Sequence, residues 1–331
     1  MIVTVTLNPA VDQTLVLSRL SIGDTNRVRD SRIDPGGKGI NVSRVLRELG
    51  RESLATGLAP GTLGRFVEHS LLEQGILCDF VHTRGQTRTN LTVMDEAEHQ
   101  TTLFSYRGPE TDPRHVQTLE ARLRRYLSPE DWLVVAGSIP PPIEDAAYAR
   151  LIERGNQAGA RTVLDADAEA LAAGLRGRPY LAKANHHEVA RLLDRPLDDD
   201  AAVLKAADDL RAAGATVAVI TAGERGAVAV SEEGAWWARP PQVVVVSAVG
   251  AGDALLAGLV LHLEEGASLA EALRCGTACG AAACLTPGTQ LCRKEDVERL
   301  LPEPRVEKIR SGPTERAATG RRAARAKPTR S

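Results

Sequence analysis

From about residue 131 onward, the sequence alternates between short apolar runs and longer amphipathic segments. The short runs are rich in β-branched residues, as buried strands are, and the longer segments place apolar residues at helical spacing. Strands are predicted at the segments WLVVAG, RTVLDA, YLAKAN and TVAVITAG. Helices are predicted near 144–158, 167–175, 186–193 and 200–213. This alternation favours an α/β fold in which helices cover both faces of a mostly parallel sheet.

The next part of the chain contains a glycine-rich corner. After a predicted antiparallel hairpin at Gly226–Ala238 comes the segment VVVVSAVGAGDALLAGL. Its valines, Val243–Val246, are uncharged and β-branched, which predicts another buried strand. Apolar residues at helical spacing follow from Asp253 onward. A last long helix is predicted to open with the capping box SLAE and to end before Pro287.

The first 107 residues have a different pattern. The segments QTLVLSRL, NRVRDSRI, RTNLTVMDE and QTTLFSY alternate between apolar and polar residues, which predicts a small sheet with strands from about 12–34 and 86–107. Between them, DPGGKGINVSRVLRELG predicts a glycine-rich turn that runs into an amphipathic helix. A sheet with one uncovered face commonly serves as a lid, as a dimer surface, or as both. We expect one domain over residues 1–310.

Composition and charge argue against some classes of function, such as nucleic-acid binding and membrane insertion. Aromatic residues make up only 3% of the chain, which argues against single-stranded nucleic-acid binding on stacked rings. The last 21 residues hold six Lys/Arg and one Glu, so the rest of the chain has a formal charge of −7 within a total of −2. We expect a disordered basic tail over 311–331. No secretory signal or membrane-spanning run is visible, so we expect a cytoplasmic protein without membrane or nucleic-acid partners.

Polar and glycine-rich residues follow the predicted strands. In open α/β sheets, ligands bind beyond the carboxyl ends of the strands. Those ends carry Gly137-Ser138, Asp165, Lys183–Asn185, Thr221–Gly223 and Gly250–Asp253. The sequence therefore predicts one ligand-binding rim at this edge of the sheet.

Two of the glycine-rich corners run into helices. These are Gly250–Asp253 and the segment GGKGIN at Gly36–Asn41. Uncovered N–H groups at a helix N-terminus favour an anion. Neither corner has the spacing of a Walker A loop or of a dinucleotide fingerprint. Taken alone, Asp253 is also explained as a helix cap. Two anion-favouring corners in one chain suit phosphoryl transfer between two substrates.

The motifs GGKGINVSRVL and VGAGDALLAG resemble the two signature regions of the PfkB (ribokinase-like) carbohydrate kinases. TLNPAVD, TRTNL, GSIPP, NHHE and GTQLC occur in the order of that family, and the resemblance covers about residues 1–300. It is strongest to the phosphofructokinase branch. The resemblance implies a three-layer ribokinase-like fold with a small β-sheet lid, a homodimer through the lid sheets, and ATP and Mg²⁺ as cofactors.

The resemblance also implies residue roles. Asp253 would be the base for the acceptor hydroxyl, with an anion hole formed by backbone N–H groups of Gly250, Ala251 and Gly252. Contacts to the sugar would come from Asp12, Gly36, Gly37 and Asn41. The phosphate already on the sugar would be bound by Arg88, Asn90 and Ser138, with Lys38 as a further candidate. A guanidinium fork matches phosphate geometry.

For the nucleotide, the resemblance implies contacts from Lys183, Asn185, Thr221, Gly223, Gly226 and Gly252. Asn185 and Glu188, in the segment NHHE, would arrange Mg²⁺ and its waters beside the phosphates. Mg²⁺ commonly retains several waters in proteins, so indirect ligation is chemically reasonable.

The acceptor stays open between three sugar phosphates. The opening TLNPAVD and Lys38 favour fructose 1-phosphate, whereas YRGP and GTQLC favour fructose 6-phosphate, and tagatose 6-phosphate is a third candidate. We take phosphorylation of fructose 1-phosphate to fructose 1,6-bisphosphate as the first hypothesis. A non-catalytic sugar-phosphate sensor is a second class, which the acidic Asp253 disfavours. A nicotinamide-dependent oxidoreductase is a third, disfavoured because the dinucleotide fingerprint is absent.

Overall fold

The computed structural model describes residues 1–311. The predicted basic tail, apart from its first residue, therefore lies outside the described residues. No helix within 1–311 is long and apolar enough to cross a membrane.

A large, mostly parallel sheet forms the centre of the protein. Within residues 1–311 it has ten strands: β1 (Ile2–Thr6), β4 (Ser53–Pro60), β5 (Leu77–Thr83), β8 (Trp132–Ala136), β9 (Arg161–Asp165), β10 (Leu181–Asn185), β11 (Val217–Thr221), β12 (Ala227–Ser231), β13 (Gly234–Arg239) and β14 (Arg305–Ser311). Their order is β14-β13-β12-β11-β10-β9-β8-β1-β4-β5. The strands from β11 to β5 pair in parallel, and β12, β13 and β14 pair antiparallel at one edge. The mostly parallel sheet predicted from the sequence is confirmed.

Four strands form a second, smaller sheet: β2 (Ala10–Leu17), β3 (Asp30–Gly36), β6 (Arg88–Asp95) and β7 (Gln100–Phe104), in the order β3-β2-β6-β7. Only the central pair, β2 with β6, is parallel. The strand β7 is exposed along its whole length. The small sheet predicted from the alternating segments is therefore present, and part of its surface is open to solvent.

Ten helices are described within 1–311: α1 (Lys38–Glu48), α2 (Gly61–Glu73), α3 (Arg114–Tyr126), α4 (Ala146–Gln157), α5 (Ala168–Leu175), α6 (His186–Leu193), α7 (Asp200–Ala212), α8 (Ala251–Glu264), α9 (Leu269–Ala283) and α10 (Lys294–Leu300). The helices α3 to α7 contribute to the apolar core on one face of the large sheet. The helices α1, α8, α9 and α10 contribute to the core on the other face. The result is three layers, α/β/α, and the predicted capping box at Ser268 and Glu271 opens α9.

The strand predicted at Val243–Val246 is wrong. The structure has no strand there, and Val244, Val245 and Val246 are exposed. The segment connects β13 to α8 and lies outside the sheet, held in part where the Val246 N–H donates to the Cys284 carbonyl (2.8 Å). A β-branched run indicates a strand only where a neighbouring strand offers backbone partners. Here β13 already pairs with β12 and β14.

Candidate active site

The carboxyl ends of four neighbouring strands bring polar residues together at one edge of the large sheet. Asp165 ends β9 and pairs in register with Lys183 of β10, while Asn185 ends β10 beside Thr221 of β11. Gly137 follows β8 and donates its N–H to the Asp165 carbonyl (2.9 Å). The predicted rim therefore exists along these strands. The fifth predicted strand end, the corner at Gly250, follows a loop and not a strand.

The corner at the start of α8 has the geometry of an anion site. Gly250 is the N-cap residue and has a left-handed backbone with φ of 79°, which favours glycine over residues with a Cβ. No side chain caps this helix, so the first N–H groups of α8 have no side-chain acceptor. Asp253 is three residues past the N-cap and is not the cap. The explanation of Asp253 as a helix cap is therefore wrong.

Asp253 is instead held by a residue from the other glycine corner. The Asn41 Nδ2 donates to Asp253 Oδ2 (2.8 Å) across 212 positions of sequence. Asp253 is 7% exposed, and burial, followed by repulsion from Asp165, raises its pKa from 3.8 to about 6. The Asn41 Oδ1 is buried and has no hydrogen-bond partner within 1–311. A donor such as a ligand hydroxyl would satisfy it.

Beside Asp253 lies a cluster of two lysines and two carboxylates, of which only Lys38 is partly exposed. The Lys183 Nζ donates to Asp165 Oδ2 (2.7 Å). The Lys38 Nζ donates to Asp165 Oδ1 (2.7 Å) and to Glu188 Oε1 (3.1 Å). Burial opposes both charges of the Lys38–Asp165 pair. The attraction between opposite charges nevertheless raises the pKa of Lys38 and lowers that of Asp165. Both groups are therefore charged at neutral pH, and the lysines present positive charge beside the anion corner.

The position of Lys183 is set by the absence of a side chain at residue 252. A Cβ added at Gly252 would come within 2.8 Å of the Lys183 Nζ. The lysine therefore reaches the first turn of α8 because that position is glycine. The Ala251 N–H donates to the Ala248 carbonyl (3.3 Å). The lysine meets the N–H groups of Gly250 and Gly252 at this point, which is an arrangement suited to a phosphoryl group.

Asn185 and Glu188 form the N-terminal capping box of α6. The Asn185 Oδ1 accepts from the Glu188 N–H (2.9 Å), and Glu188 Oε2 accepts from the Asn185 N–H (2.8 Å). The second carboxylate oxygen of Glu188 accepts from Lys38. Each of these oxygens already has a protein donor, and within 1–311 no group of three or more acidic, His or Cys side chains could enclose a metal. Each of these oxygens keeps a second lone pair, so the pair is chemically compatible with contact to Mg²⁺ through water.

The predicted sugar-binding residues lie at the base of the small sheet. Asp12 is 7% exposed and its Oδ1 accepts from the Asn90 Nδ2 (2.8 Å). Burial raises the pKa of Asp12, and the Asn90 hydrogen bond and the charge of Arg88 oppose that rise. A Cβ at Gly36 would overlap the Asp12 carboxyl, so glycine is needed there for close approach. Gly37 (φ of 118°) begins the turn into α1.

Arg88 and Ser138 meet through a residue that the sequence analysis did not select. The Asn8 Nδ2 donates to Ser138 Oγ (3.0 Å) and to the Arg107 carbonyl (2.9 Å). Arg88 donates to the Asn8 carbonyl (3.2 Å) and to the Tyr106 carbonyl (2.7 Å). The Arg88 Nε is buried without a partner within 1–311. Arg88 and Ser138 thus converge on Asn8, whereas Lys38, the further phosphate candidate, donates to Asp165 and Glu188 instead.

Asn8 and Asp165 are the two residues of the site to which the sequence analysis gave no role. Asn8 stands in the motif TLNPAVD, four residues before Asp12. Asp165 was noted only as a strand end. A buried carboxylate at the rim beside Lys183 was a usable signal, because a buried charge needs a partner of opposite sign.

The predicted nucleotide residues lie at one end of the rim. Thr221 accepts at its carbonyl from the ring of His186 (3.3 Å, one tautomer), and Gly223 opens a short 3₁₀ turn after β11. A cavity of about 390 Å³ lies beside this turn and the start of α6. Gly226 has φ of 94°, and a Cβ there would overlap the Ala238 carbonyl. Gly226 is thus required by the hairpin, whatever it does for a ligand.

Taken together, the buried carboxylate, the two lysines and the uncapped start of α8 form a site suited to an anionic phosphoryl group. Residues 5–296 match the model of the pfkB family carbohydrate kinases. The chain therefore belongs to this family, and its three layers with the small additional sheet are the ribokinase-like fold.

Known relatives agree with this assignment. The chain is 36% identical to the 1-phosphofructokinase of Xanthomonas campestris over 309 residues, which cover 91% of this chain and 94% of that protein. It is 33% identical to the ATP-dependent 6-phosphofructokinase isozyme 2 of Escherichia coli over 301 residues, covering 90% and 97%. The crystal structure of phosphofructokinase-2 from Escherichia coli in complex with substrates and products superposes with a TM-score of 0.85 at 32% identity, covering 91% and 98%.

Proposed function

We propose that this protein uses ATP to phosphorylate a ketohexose monophosphate, with fructose 1-phosphate as the acceptor and fructose 1,6-bisphosphate as the product. The observation that carries the proposal is the buried Asp253, whose pKa is raised to about 6, beside the uncapped start of α8. A base with a pKa near neutrality is suited to accept a hydroxyl proton. A binding protein without catalytic activity has no need of such a base.

In the proposed reaction, the acceptor hydroxyl oxygen attacks the γ-phosphorus of ATP. A new O–P bond forms, the bond to the bridging oxygen breaks, and ADP leaves with that electron pair. Asp253 accepts the hydroxyl proton, and Asn41 holds the carboxylate in place. The N–H groups of Gly250, Ala251 and Gly252 stabilise the charge on the transferring group. Lys183, beside Gly252, and Lys38, which shares Asp165 with it, would add positive charge near this corner.

At the acceptor end, Asp12, Gly36, Gly37 and Asn41 would bind the sugar hydroxyls, and Arg88, Asn90 and Ser138 the existing phosphate. The unpartnered Arg88 Nε supports this assignment, because a buried guanidinium N–H favours an anionic acceptor. Arg88→Ala should raise the KM for the sugar phosphate by about tenfold or more. An unchanged KM would refute the assignment of Arg88 to the phosphate.

For the nucleotide, contacts are proposed from Lys183, Asn185, Thr221, Gly223, Gly226 and Gly252. Mg²⁺ would enter with ATP and neutralise part of the phosphate charge. Asn185 and Glu188 would contact the metal through waters, because their oxygens already accept protein hydrogen bonds. Removal of Mg²⁺ with a chelator should abolish turnover.

The most specific part of the proposal is which sugar phosphate accepts the phosphoryl group. Several curated relatives at 32–36% identity are 1-phosphofructokinases, and this favours fructose 1-phosphate. The 6-phosphofructokinase isozyme of Escherichia coli at 33% identity keeps fructose 6-phosphate as the second candidate. Initial rates with fructose 1-phosphate, fructose 6-phosphate and tagatose 6-phosphate at equal ATP test the ranking. A higher kcat/KM with either rival would overturn it.

We also propose that the small sheet closes over the sugar and forms a homodimer through its outer surface, and that the enzyme works in the cytoplasm. Support for the dimer comes from Ile33 and Phe104, two exposed apolar side chains that the strand register places on the same face of the small sheet. Apolar side chains clustered on one surface commonly mark an interface. Sedimentation of the purified protein tests this, and a monomer at micromolar concentration would contradict it.

A further inference from the structure

A buried ion pair that has no part in the proposed chemistry joins the small sheet to the body of the protein. Asp34, on β3, is 3% exposed, and the side chain of Arg44, on α1, is 8% exposed. The Arg44 guanidinium donates to Asp34 Oδ1 (3.2 Å). The Thr289 hydroxyl donates to Asp34 Oδ2 (2.9 Å), and the Thr289 carbonyl accepts from Arg44 (3.2 Å). We call Asp34, Arg44 and Thr289 the junction.

On one side, the junction supports the proposed acceptor site. Asp34 is the register partner of Asp12 and precedes the Gly36 turn by two residues. Arg44 follows Asn41 by three residues on α1, so both side chains lie on the same face of that helix. Asn41, which donates to Asp253, and Arg44, which donates to Asp34 alongside Thr289 and the partly exposed Arg32, are therefore fixed on one rigid element.

On its other side, the junction supports the anion corner. Thr289 belongs to the loop after α9, and the carbonyl of Gly288 in this loop accepts from Ser247 Oγ (3.3 Å). Leu291, two residues after Thr289, packs on Gly250. A Cβ added at Gly250 would lie 2.5 Å from the leucine Cδ2. The loop thus contacts both Asp34 and the glycine that begins α8.

From these contacts we propose that the junction is a positioning device, which holds the acceptor turn and the anion corner at the separation that phosphoryl transfer needs. This inference rests on the proposed function. It assigns positioning roles to Asp34, Arg44 and Thr289, which do not themselves touch the reacting atoms. Displacement of either corner by a fraction of an ångström would misalign the acceptor oxygen and the phosphoryl group.

The test compares two substitutions of Thr289 in the full chain. Thr289→Val keeps the side-chain shape and removes the hydroxyl bond to Asp34, whereas Thr289→Ser keeps that bond. The control is Arg47→Gln, which lies on α1 one turn past Arg44 and donates to the Gln74 carbonyl instead of to the junction. Each variant is assayed with the sugar phosphate that the wild type uses best, and its melting temperature is measured.

We expect Thr289→Val to lower kcat/KM for the sugar phosphate by about fivefold to tenfold, since a hydrogen bond to a charged group is lost. The KM for ATP should stay within about twofold, and Thr289→Ser and Arg47→Gln should resemble the wild type. In the wild type, the sugar phosphate should protect the amides of residues 30–38 from hydrogen exchange, and Thr289→Val should weaken that protection.

Equal kcat/KM values for Thr289→Val and Thr289→Ser would refute the positioning role of the junction. So would a parallel loss of acceptor and ATP affinity together with a large drop in melting temperature, because that pattern indicates general weakening of the fold. Failure of the proposed function would be visible in the wild type itself, as a lack of turnover with every ketohexose phosphate. In that case both proposals fall, whereas failure of the junction alone changes only the comparison between variants.

Discussion

The charge of Asp253 should destabilise the folded protein, and Asp253→Asn measures that effect. Burial raises the pKa of this carboxyl from 3.8 to about 6. The folded state therefore binds a proton more tightly than the unfolded state. The stabilising contribution of the protonated carboxyl is fully present below pH 3.8 and is lost as the pH rises through about 6.

The expected magnitude follows from the size of the shift. At about 1.4 kcal/mol per pKa unit, the ionised carboxylate costs about 3 kcal/mol of unfolding free energy at pH 8. Asp253→Asn keeps an oxygen that can accept from Asn41 and removes the charge. The variant should therefore be more stable than the wild type by about 3 kcal/mol at pH 8, with the difference reduced to about 2 kcal/mol at pH 5.5.

Urea denaturation at both pH values measures the difference, and kcat against pH tests the same group in catalysis. The wild-type rate should rise with pH and level off above the apparent pKa of the base, while Asp253→Asn loses most turnover. The reasoning is refuted if the asparagine variant is the less stable protein at pH 8. A wild-type kcat that does not change between pH 5 and pH 8 would separately refute the role of Asp253 as the base.

Three further predictions concern neighbouring residues. Asp165→Asn should act in the opposite direction to Asp253→Asn and lose about 3–5 kcal/mol in urea denaturation, because Lys183 would be left buried without its carboxylate partner. Gly252→Ala should lower kcat on the order of 10–100-fold, because the added Cβ would displace the Lys183 Nζ, and it should lower stability because the bond from Lys183 to Asp165 is disturbed. Normal kcat in a folded variant would show that the lysine position is unimportant. Phe104→Ser should shift the proposed dimer towards monomer in sedimentation, and an unchanged sedimentation coefficient would move the interface elsewhere.

The large sheet was predictable because its signals are local. The strands β8 to β11 are short apolar runs bounded by helices, and their order along the chain is also their order in the sheet. The valine run at Val243–Val246 carries the same local signal, yet it forms no strand. A pattern of side chains says that a segment can form a strand, but hydrogen-bond partners decide whether it does, and β13 had none to offer.

The candidate site divides in a similar way. The two glycine corners were visible in the sequence because each corner lies within a few residues of chain. Their meeting was not visible, since Asn41 and Asp253 are 212 positions apart. Asn8 was missed because its value lies in two contacts, to Ser138 and to the Arg107 carbonyl, that come from remote parts of the chain.

The sequence by itself determined the α/β class, the glycine turns at the two helix starts and the residue types that chemistry would need. Backbone conformation and amphipathic pattern depend on neighbours in the chain, so they can be inferred from short segments. The tertiary structure alone decided that Asp253 is a buried, weakly acidic carboxyl and not a helix cap, and that Asp165 is paired with two lysines. Protonation depends on burial and on charges brought close in space, which only the folded chain defines.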